Sequence, residues 1–354
     1  MIQRCGRSIL PLPDDIQIYQ LDLEIHGACN YKCEMCPQAW GRERSFLKSM
    51  PFDLFRKIVD DALQHGLKSA SLHGSGEPTL NRNMPEMVRY LKSCDVEAVS
   101  FTNGLRLTEE LAEQLFDAGL DTLRISAIGY DEASYARWMA SDQYDEVREN
   151  VRKAIAARDH GGHATQVHLY HLITDLNRRE EELTLYQENW VKHTGAFAEV
   201  WLMHNWSGEY EQNVPYHRDA MTRSKSQRSC GRPFSPLLEV RAGGLDGHAG
   251  AVVACCMVLG HDSEAVLGHL DHQTIEEVVR GDVYEELRSA HSEKRFHDIS
   301  YCKDCDQLFD VPEALVWSNI PGRKYGESKI TEGLDHRAFT PQKMGTGSDL
   351  VEIE

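Results

Sequence analysis

Along the chain, short apolar stretches of period two alternate with longer ones whose apolar residues recur every three or four positions. Leu21, Leu23 and Ile25 alternate with polar neighbours and predict a strand. Pro51 then opens a helix that sets Phe52, Phe55, Ile58, Val59 and Leu63 at helical spacing. The unit repeats, with further strands predicted over 69–73, 96–101, 121–127, 166–173 and 198–203. Helices are predicted between them over 84–94, 108–118, 145–158 and 179–192. Thr108 followed by Glu109 and Glu110 reads as a cap with an acidic first turn. Six strands separated by helices specify α/β architecture with parallel strands, but periodicity does not choose between a doubly wound sheet and a barrel. In both, ligands gather at the C-terminal ends of the strands.

From about residue 226 the pattern changes. Gly243 to Gly250 reads as loop or hairpin, and 274–287 as a helix with Ile275, Val278 and Val279 on one face. The expected organisation is an N-terminal extension at 1–19 laid over the core, a β/α core at 20–215, a small α+β unit at 225–320 and a loosely held tail at 321–354.

Composition narrows the function classes. The chain has 354 residues, 41% apolar and 27% charged, with a formal net charge of -18. A nucleic-acid partner needs a phosphate-neutralising basic face, and this excess of acid argues against one. No apolar run reaches membrane-spanning length, and the N-terminus is too weakly apolar for a signal peptide, so no membrane partner is expected. Ten bunched cysteines are too few for a disulfide scaffold and suggest metal sites in a reducing cytoplasm.

Cys29, Cys33 and Cys36 lie at C-x3-C-x2-C spacing directly after the first strand. Iron–sulfur clusters are held by thiolates, and three of them on one loop leave the fourth corner of a [4Fe–4S] cube open to a small molecule. Later come Cys230, the pair Cys255 and Cys256, and Cys302-x-x-Cys305. Spacing alone leaves tetrahedral zinc and a second cube both open for these. Cys5 reads as an unligated thiol and Cys94 as a core residue.

The first triplet resembles the signature of the radical S-adenosylmethionine (radical SAM) family, whose open iron binds the amine and carboxylate of the cofactor. The resemblance implies a partial (β/α)6 TIM-like barrel over about residues 20–210. His73-Gly-Ser-Gly-Glu77-Pro78 resembles the family's Gly-Gly-Glu motif. There Gly74, Ser75 and Gly76 bring backbone close to the cofactor, and Glu77 or adjacent carbonyls could accept from its amine. Asn103 and Ser126, ending the third and fourth strands, stand where relatives touch the cofactor, the serine at its ribose. Met35 replaces a common aromatic and is soft enough to cover the cluster and adenine. The later cysteines resemble the twitch or SPASM appendage, which implies one auxiliary [4Fe–4S] cluster closed by Cys230, Cys255, Cys302 and Cys305. Cys256 competes with Cys255, and the spacing from Gly250 favours Cys255.

By this resemblance a 5′-deoxyadenosyl radical takes hydrogen from the substrate, with a flavodoxin or ferredoxin-like protein as electron donor. Similarity to twitch-bearing aminocyclitol dehydrogenases implies an oxidoreductase of natural-product biosynthesis. It would oxidise a sugar, nucleoside or aminocyclitol by two electrons, with the auxiliary cluster as acceptor. Arg124, Tyr170, His171, His204, Trp206 and Glu209 are candidate pocket groups at strand ends. Of these, His204 and Arg124 are the candidates for proton transfer or orientation. One alternative is a peptide maturase installing thioether or carbon–carbon links, although only 28 residues precede Cys29 where such enzymes often carry a leader-binding domain. Others are a radical epimerase or decarboxylase of a sugar-like metabolite, the epimerase needing a hydrogen-donating cysteine outside both clusters, and a non-enzymatic metal-bound interaction module.

Overall fold

A computed structural model describes residues 16–39, 49–208, 229–258, 264–308 and 315–321. Strands β1 (Gln20–Leu23), β2 (Ser69–Leu72), β3 (Glu97–Thr102), β4 (Thr122–Ser126), β5 (Gln166–Ile173) and β6 (Phe197–Leu202) lie side by side in chain order, each parallel to the next. Parallel neighbours require crossovers. These are supplied by α1 (Phe52–Gln64), α2 (Met84–Ser93), α3 (Glu109–Asp117), α4 (Glu132–Trp138), α5 (Tyr144–Gly161) and α6 (Arg179–Tyr186). The result is the partial TIM-like barrel that the resemblance implied. α1 buries Phe55, Ile58, Val59 and Ala62, the stripe read from its periodicity. Thr108 caps α3 by accepting from Leu111 N–H at 3.2 Å. α5 stops at Gly162, whose φ of +67° is left-handed. α6 continues through a π-turn at Gln187–Val191 into α7 (Lys192–Thr194).

The later segment extends the same sheet at both edges. β7 (Leu237–Arg241) runs parallel to β1, and β8 (Ala251–Val253) and β9 (Val266–His269) follow antiparallel. β10 (Leu315–Ser318) pairs antiparallel with β6. One ten-stranded sheet therefore carries both the core and the later cysteine-bearing loops. The single helix expected over 274–287 is two, α8 (Ile275–Val279) and α9 (Asp282–Ser292). Gly281 between them is extended at ψ 152°, which ends one and starts the other. Residues 1–15 and 322–354, the bulk of the expected extension and tail, lie outside the described residues.

Strand alternation sorts the side chains onto two faces. Leu21, Leu23, Leu72, Ala98, Leu123, Ile125, Val167, Leu169 and Ala198 are buried in one core with the helices. The opposite face carries Asp22, Ser71, Arg124, His168, Glu199, Glu239 and Arg241, and these too are buried. The register aligns Asp22 with both Ser71 and Glu239, and Arg124 with His168. The barrel lumen is thus a polar face closed off from bulk water, a costly arrangement unless its groups are paired or used. Among the described residues no helix is long and apolar enough to cross a membrane.

Candidate active site

The first cysteine loop leaves β1 and is held from several sides. Cys36 N–H donates to Cys33 O at 3.0 Å, closing the turn between them. Tyr31 N–H and Asn103 Nδ2 reach Cys29 Sγ at 3.4 and 3.9 Å. Met35 is buried, and Cys33 Sγ lies 3.8 Å from Met139 Sδ. Burial pushes the Cys29 thiol up to about 12, with Glu77 and Cys36 adding to the rise. Burial, then Cys36 and Cys29, raise Cys33 well above the ordinary thiol range. Neighbouring thiols that oppose one another's ionisation become thiolates when a metal supplies the compensating positive charge.

The glycine loop after β2 packs directly on this one. A Cβ on Gly76 would stand 1.9 Å from His26 O, and one on Gly74 2.4 Å from Glu24 Cβ, so a side chain at either would force the loops apart. Ser75 donates to Glu24 through its N–H at 3.0 Å and through its hydroxyl. The buried Glu77 carboxylate accepts from Thr79 N–H at 3.1 Å, Thr79 Oγ1 at 2.6 Å, Thr102 Oγ1 at 2.7 Å and Asn103 N–H at 2.8 Å. Four donors fill the acceptor sites of a carboxylate. The carboxylate thus ties the loops after β2 and β3 together, the Glu77 N–H joins them to the β1 loop by donating to Ala28 O at 2.7 Å, and the adjacent carbonyls are what could take a ligand's amine.

A second set of cysteines converges from three segments. Burial raises the Cys302 and Cys305 thiols, and Cys230 and Cys255 add to both. Burial pushes Cys230 up to about 11, again with Cys255 contributing. These four could close a cluster. Cys256 lies within the electrostatic reach of Arg232, Glu239, Cys255 and Asp22, its thiol is felt by Tyr170, and Cys255 feels Arg232 and Glu239 as well. Beside the set, His291 Nε2 lies 3.6 Å from Cys302 Sγ while its Nδ1 faces Ser229 Oγ at 3.0 Å. The loop after β6 is latched here: Asn205 N–H donates to Asp306 Oδ2 at 2.7 Å and Asn205 Nδ2 to Asp304 O at 2.8 Å. Trp206 and Ser207 in that loop hold left-handed φ of +48° and +61°, local strain that the latch maintains.

The lumen face brings charged groups together. Arg232 Nη1 donates to Glu239 Oε1 at 2.8 Å, and Arg124 Nη2 lies 3.5 Å from Glu199 Oε1. The Arg124 guanidinium also stacks 5.1 Å above the Phe101 ring, which stands between His73 and Tyr170 at 4.9 and 6.0 Å. Burial and then Asp22 push the Glu239 carboxyl up to about 7, against the pull of Arg232 and Arg241. His73 is pushed down to about 4 by burial. Among the described residues, Ser71 Oγ, His73 Nδ1 and Arg241 Nε are buried without a hydrogen-bond partner, while the Glu239 carboxyl neighbours that of Asp22. Buried polar atoms are normally satisfied, so three such atoms on one face favour a polar ligand there.

The family model described as the radical SAM superfamily matches residues 23–185, and that of the SPASM iron-sulfur cluster-binding domain matches 247–306. The chain carries a radical SAM domain followed by a SPASM-type iron-sulfur domain. A probable GTP 3',8-cyclase of Methanococcus maripaludis is 34% identical over 139 residues, 39% of this chain and 46% of that one. A protein of Pyrococcus furiosus named as modifying the cofactor of tungsten-containing aldehyde ferredoxin oxidoreductase is 32% identical over 173 residues, 48% of each chain. The matches to these curated relatives span a little under half of their length. Among solved structures, BtrN in complex with AdoMet and 2-DOIA aligns at TM-score 0.54 and 18% identity, covering 82% of this chain and 94% of BtrN. SuiB of Streptococcus suis bound to the precursor peptide SuiA aligns at TM-score 0.57 and 15% identity, covering 82% of this chain and 71% of SuiB. At these identities the structures show a shared fold.

As a radical SAM enzyme with a SPASM-type domain, the chain uses S-adenosylmethionine, a [4Fe–4S] cluster and an auxiliary iron–sulfur cluster. The residues fit that requirement: three opposed thiols on one loop, four more converging elsewhere, and a glycine at 76 that lets the next loop pack backbone-to-backbone on the first. Of the expected pocket groups, Arg124 and Tyr170 face the lumen, and His204 packs edge-on against Trp206 at 4.3 Å beside the latch. Ser126 is half-buried at the end of β4, opposite Tyr170. His171 is a correction. It lies on the helix-facing side of β5, with Nε2 2.9 Å from Glu182 and its ring stacked on Tyr186. Adjacent strand residues point to opposite faces, so Tyr170 and His171 could not both line the lumen. Glu209 and Cys5 lie outside the described residues, and Cys94 is half-buried at the end of α2. Sequence reasoning missed Asp22, Arg232, Glu239 and Arg241. The signal was present, since Glu239 and Arg241 alternate with Leu238 and Val240 as Asp22 does with Leu21 and Leu23.

Proposed function

We propose that this radical SAM enzyme removes two protons and two electrons, as one hydrogen atom, one proton and one electron, from a hydroxylated or aminated small molecule held in the barrel lumen. When bound, S-adenosylmethionine with its [4Fe–4S] cluster supplies hydrogen-atom abstraction, and the auxiliary cluster supplies a one-electron acceptor. Cys29, Cys33 and Cys36 would hold the first cluster, and Cys230, Cys255, Cys302 and Cys305 the second. Met35, Gly74, Ser75, Gly76, Asn103 and Ser126 would surround the cofactor, and a flavodoxin or ferredoxin-like protein would deliver electrons.

The observation that carries the reading is Glu239. Its carboxyl sits on the lumen face with Oε1 held by Arg232 at 2.8 Å and the Asp22 carboxyl beside it as a hydrogen-bonding neighbour, so that the two share the cost of ionisation. With its proton affinity raised to about 7 by burial and Asp22, it suits a general base at neutral pH. Once a substrate carbon has lost a hydrogen atom, Glu239 accepts the proton of the adjoining hydroxyl or amine. The remaining electron leaves, and a carbonyl or imine is the product. Arg124, fixed by Glu199 and Phe101, acts as a clamp rather than a proton acceptor. Tyr170 and His204 are the further candidates to orient substrate hydroxyls. Crystallisation of BtrN with 2-DOIA and the naming of the cyclases for GTP support a small polar substrate. SuiB, crystallised with its precursor peptide, supports the peptide alternative.

The test is anaerobic incubation of iron-reconstituted enzyme and reductant with aminocyclitols, sugars, nucleosides and a peptide library. The expected result is 5′-deoxyadenosine above background with one small-molecule class, together with a product two daltons lighter. A response to peptides alone would overturn the proposal. A second reading, epimerisation, is favoured by one observation: the Cys256 thiol lies within the electrostatic reach of Glu239 and Tyr170 on the lumen face, and could return a hydrogen atom to the substrate. Cys256→Ser would abolish product formation under that reading and leave oxidation intact.

A further inference from the structure

At the end of the β8–β9 hairpin remote from Cys255, three side chains converge that the radical chemistry does not use. We propose that His248, Asp271 and His272 form a binding site for a divalent transition-metal ion of the Zn²⁺ class. His248 Nδ1 lies 3.1 Å from Asp271 Oδ2, and His272 Nδ1 lies 2.6 Å from Asp271 Oδ1. One ligand atom from each residue falls within 4.8 Å of the others, so small side-chain rotations bring all three onto a single ion at metal–ligand lengths of about 2.0–2.2 Å. Two imidazoles and one carboxylate select zinc or its neighbours over calcium and magnesium, which take oxygen ligands.

The backbone assembles this set in advance. The hairpin ladder continues past its strands, with Leu270 N–H donating to Gly250 O at 2.9 Å and Asp271 N–H to Ala249 O at 3.3 Å. His248 is thereby brought beside Asp271 across 23 residues of chain. Ala249 N–H orients the carboxylate by donating to Asp271 Oδ2 at 3.0 Å. Lys57 Nζ bolts the turn to α1, donating to Leu270 O at 2.9 Å and Asp271 O at 3.0 Å. His269 stays outside the ligand set because its Nε2 accepts from Leu245 N–H at 3.0 Å. The side chains of His248, Asp271 and His272 are 44%, 27% and 51% exposed, so an ion can enter and keep water in its remaining positions. A metal there would staple the two ends of the hairpin whose other end presents Cys255.

The test uses iron-reconstituted holoenzyme dialysed against ZnCl2, with zinc and iron counted in the wild type and in His248→Gln/His272→Gln. Both positions are partly exposed, and an unchanged iron count verifies that the variant has folded. The expected result is one zinc per chain more in the wild type than in the variant, with nitrogen and oxygen but no sulfur around it by X-ray absorption. Equal zinc in the two proteins, or sulfur in the zinc shell of the wild type, would overturn the proposal.

Discussion

At the scale of single residues, the lumen shows what alternation conceals. A polar residue at every second position of a strand ordinarily faces water. In β1, β4, β6 and β7 the polar positions Asp22, Arg124, Glu199 and Glu239 are instead buried. Closure of the sheet makes the difference, and it is invisible to any single strand. The cysteines and Gly74-Ser75-Gly76-Glu77 were legible because their spacing is local. Their roles were less so, since the Glu77 carboxylate is spent on Thr79, Thr102 and Asn103. Glu239 must be ionised to take a proton, so kcat/KM should rise with pH to about 7 and level above it. Glu239→Gln should lose that limb and about a hundredfold in rate, measured as product formation across pH. Gly76→Ala, whose Cβ would meet His26 O at 1.9 Å, should cost the first cluster. Iron counting should then give about four atoms per chain where the parent holds about eight.

At the scale of elements, long periodic helices and parallel strands were read correctly, and short tertiary-dependent pieces were not. β7 and β10 have 5 and 4 residues and exist because they pair with β1 and β6 at the sheet's edges. α4 has 7 residues and is secured by the capping box of Asp131 and Ser134 rather than by a long apolar stripe. The β6 loop and the Cys302–Cys305 loop act as one latch through Asn205 and Asp306. Asp306→Ala should therefore lower stability by about 1–3 kcal/mol by stranding Asn205 N–H, read from chemical unfolding, and should speed iron loss to a chelator. The Arg124–Glu199 pair, 8% and 1% exposed, links β4 to β6 across the lumen. Arg124→Met alone should cost about 3–5 kcal/mol, because it removes the countercharge of the buried Glu199 carboxylate, which then keeps the neutral donor Trp201 Nε1 at 3.2 Å. Arg124→Met/Glu199→Met should recover much of that loss in the same unfolding experiment.

For the whole molecule, a ten-stranded sheet unites two cysteine sites that the sequence presents as separate segments. Because β7 pairs with β1, Glu239 and Arg241 come to line the lumen beside Asp22 and Glu24, and the loop after β8 brings Cys255 and Cys256 to the same face. The polar chamber is therefore assembled jointly by the radical SAM core and the chain that follows it, β7 and the loop after β8, and neither part contains it alone. The most direct test follows the hydrogen of an active small-molecule substrate, labelled with deuterium at the reacting carbon, through turnover by the wild type and by Cys256→Ser. Oxidation at Glu239 predicts one deuterium in 5′-deoxyadenosine and, with both proteins, a ketone or imine that has lost that label and one proton. A product that keeps every hydrogen site, carries a solvent hydrogen at the labelled carbon and disappears in Cys256→Ser would contradict it.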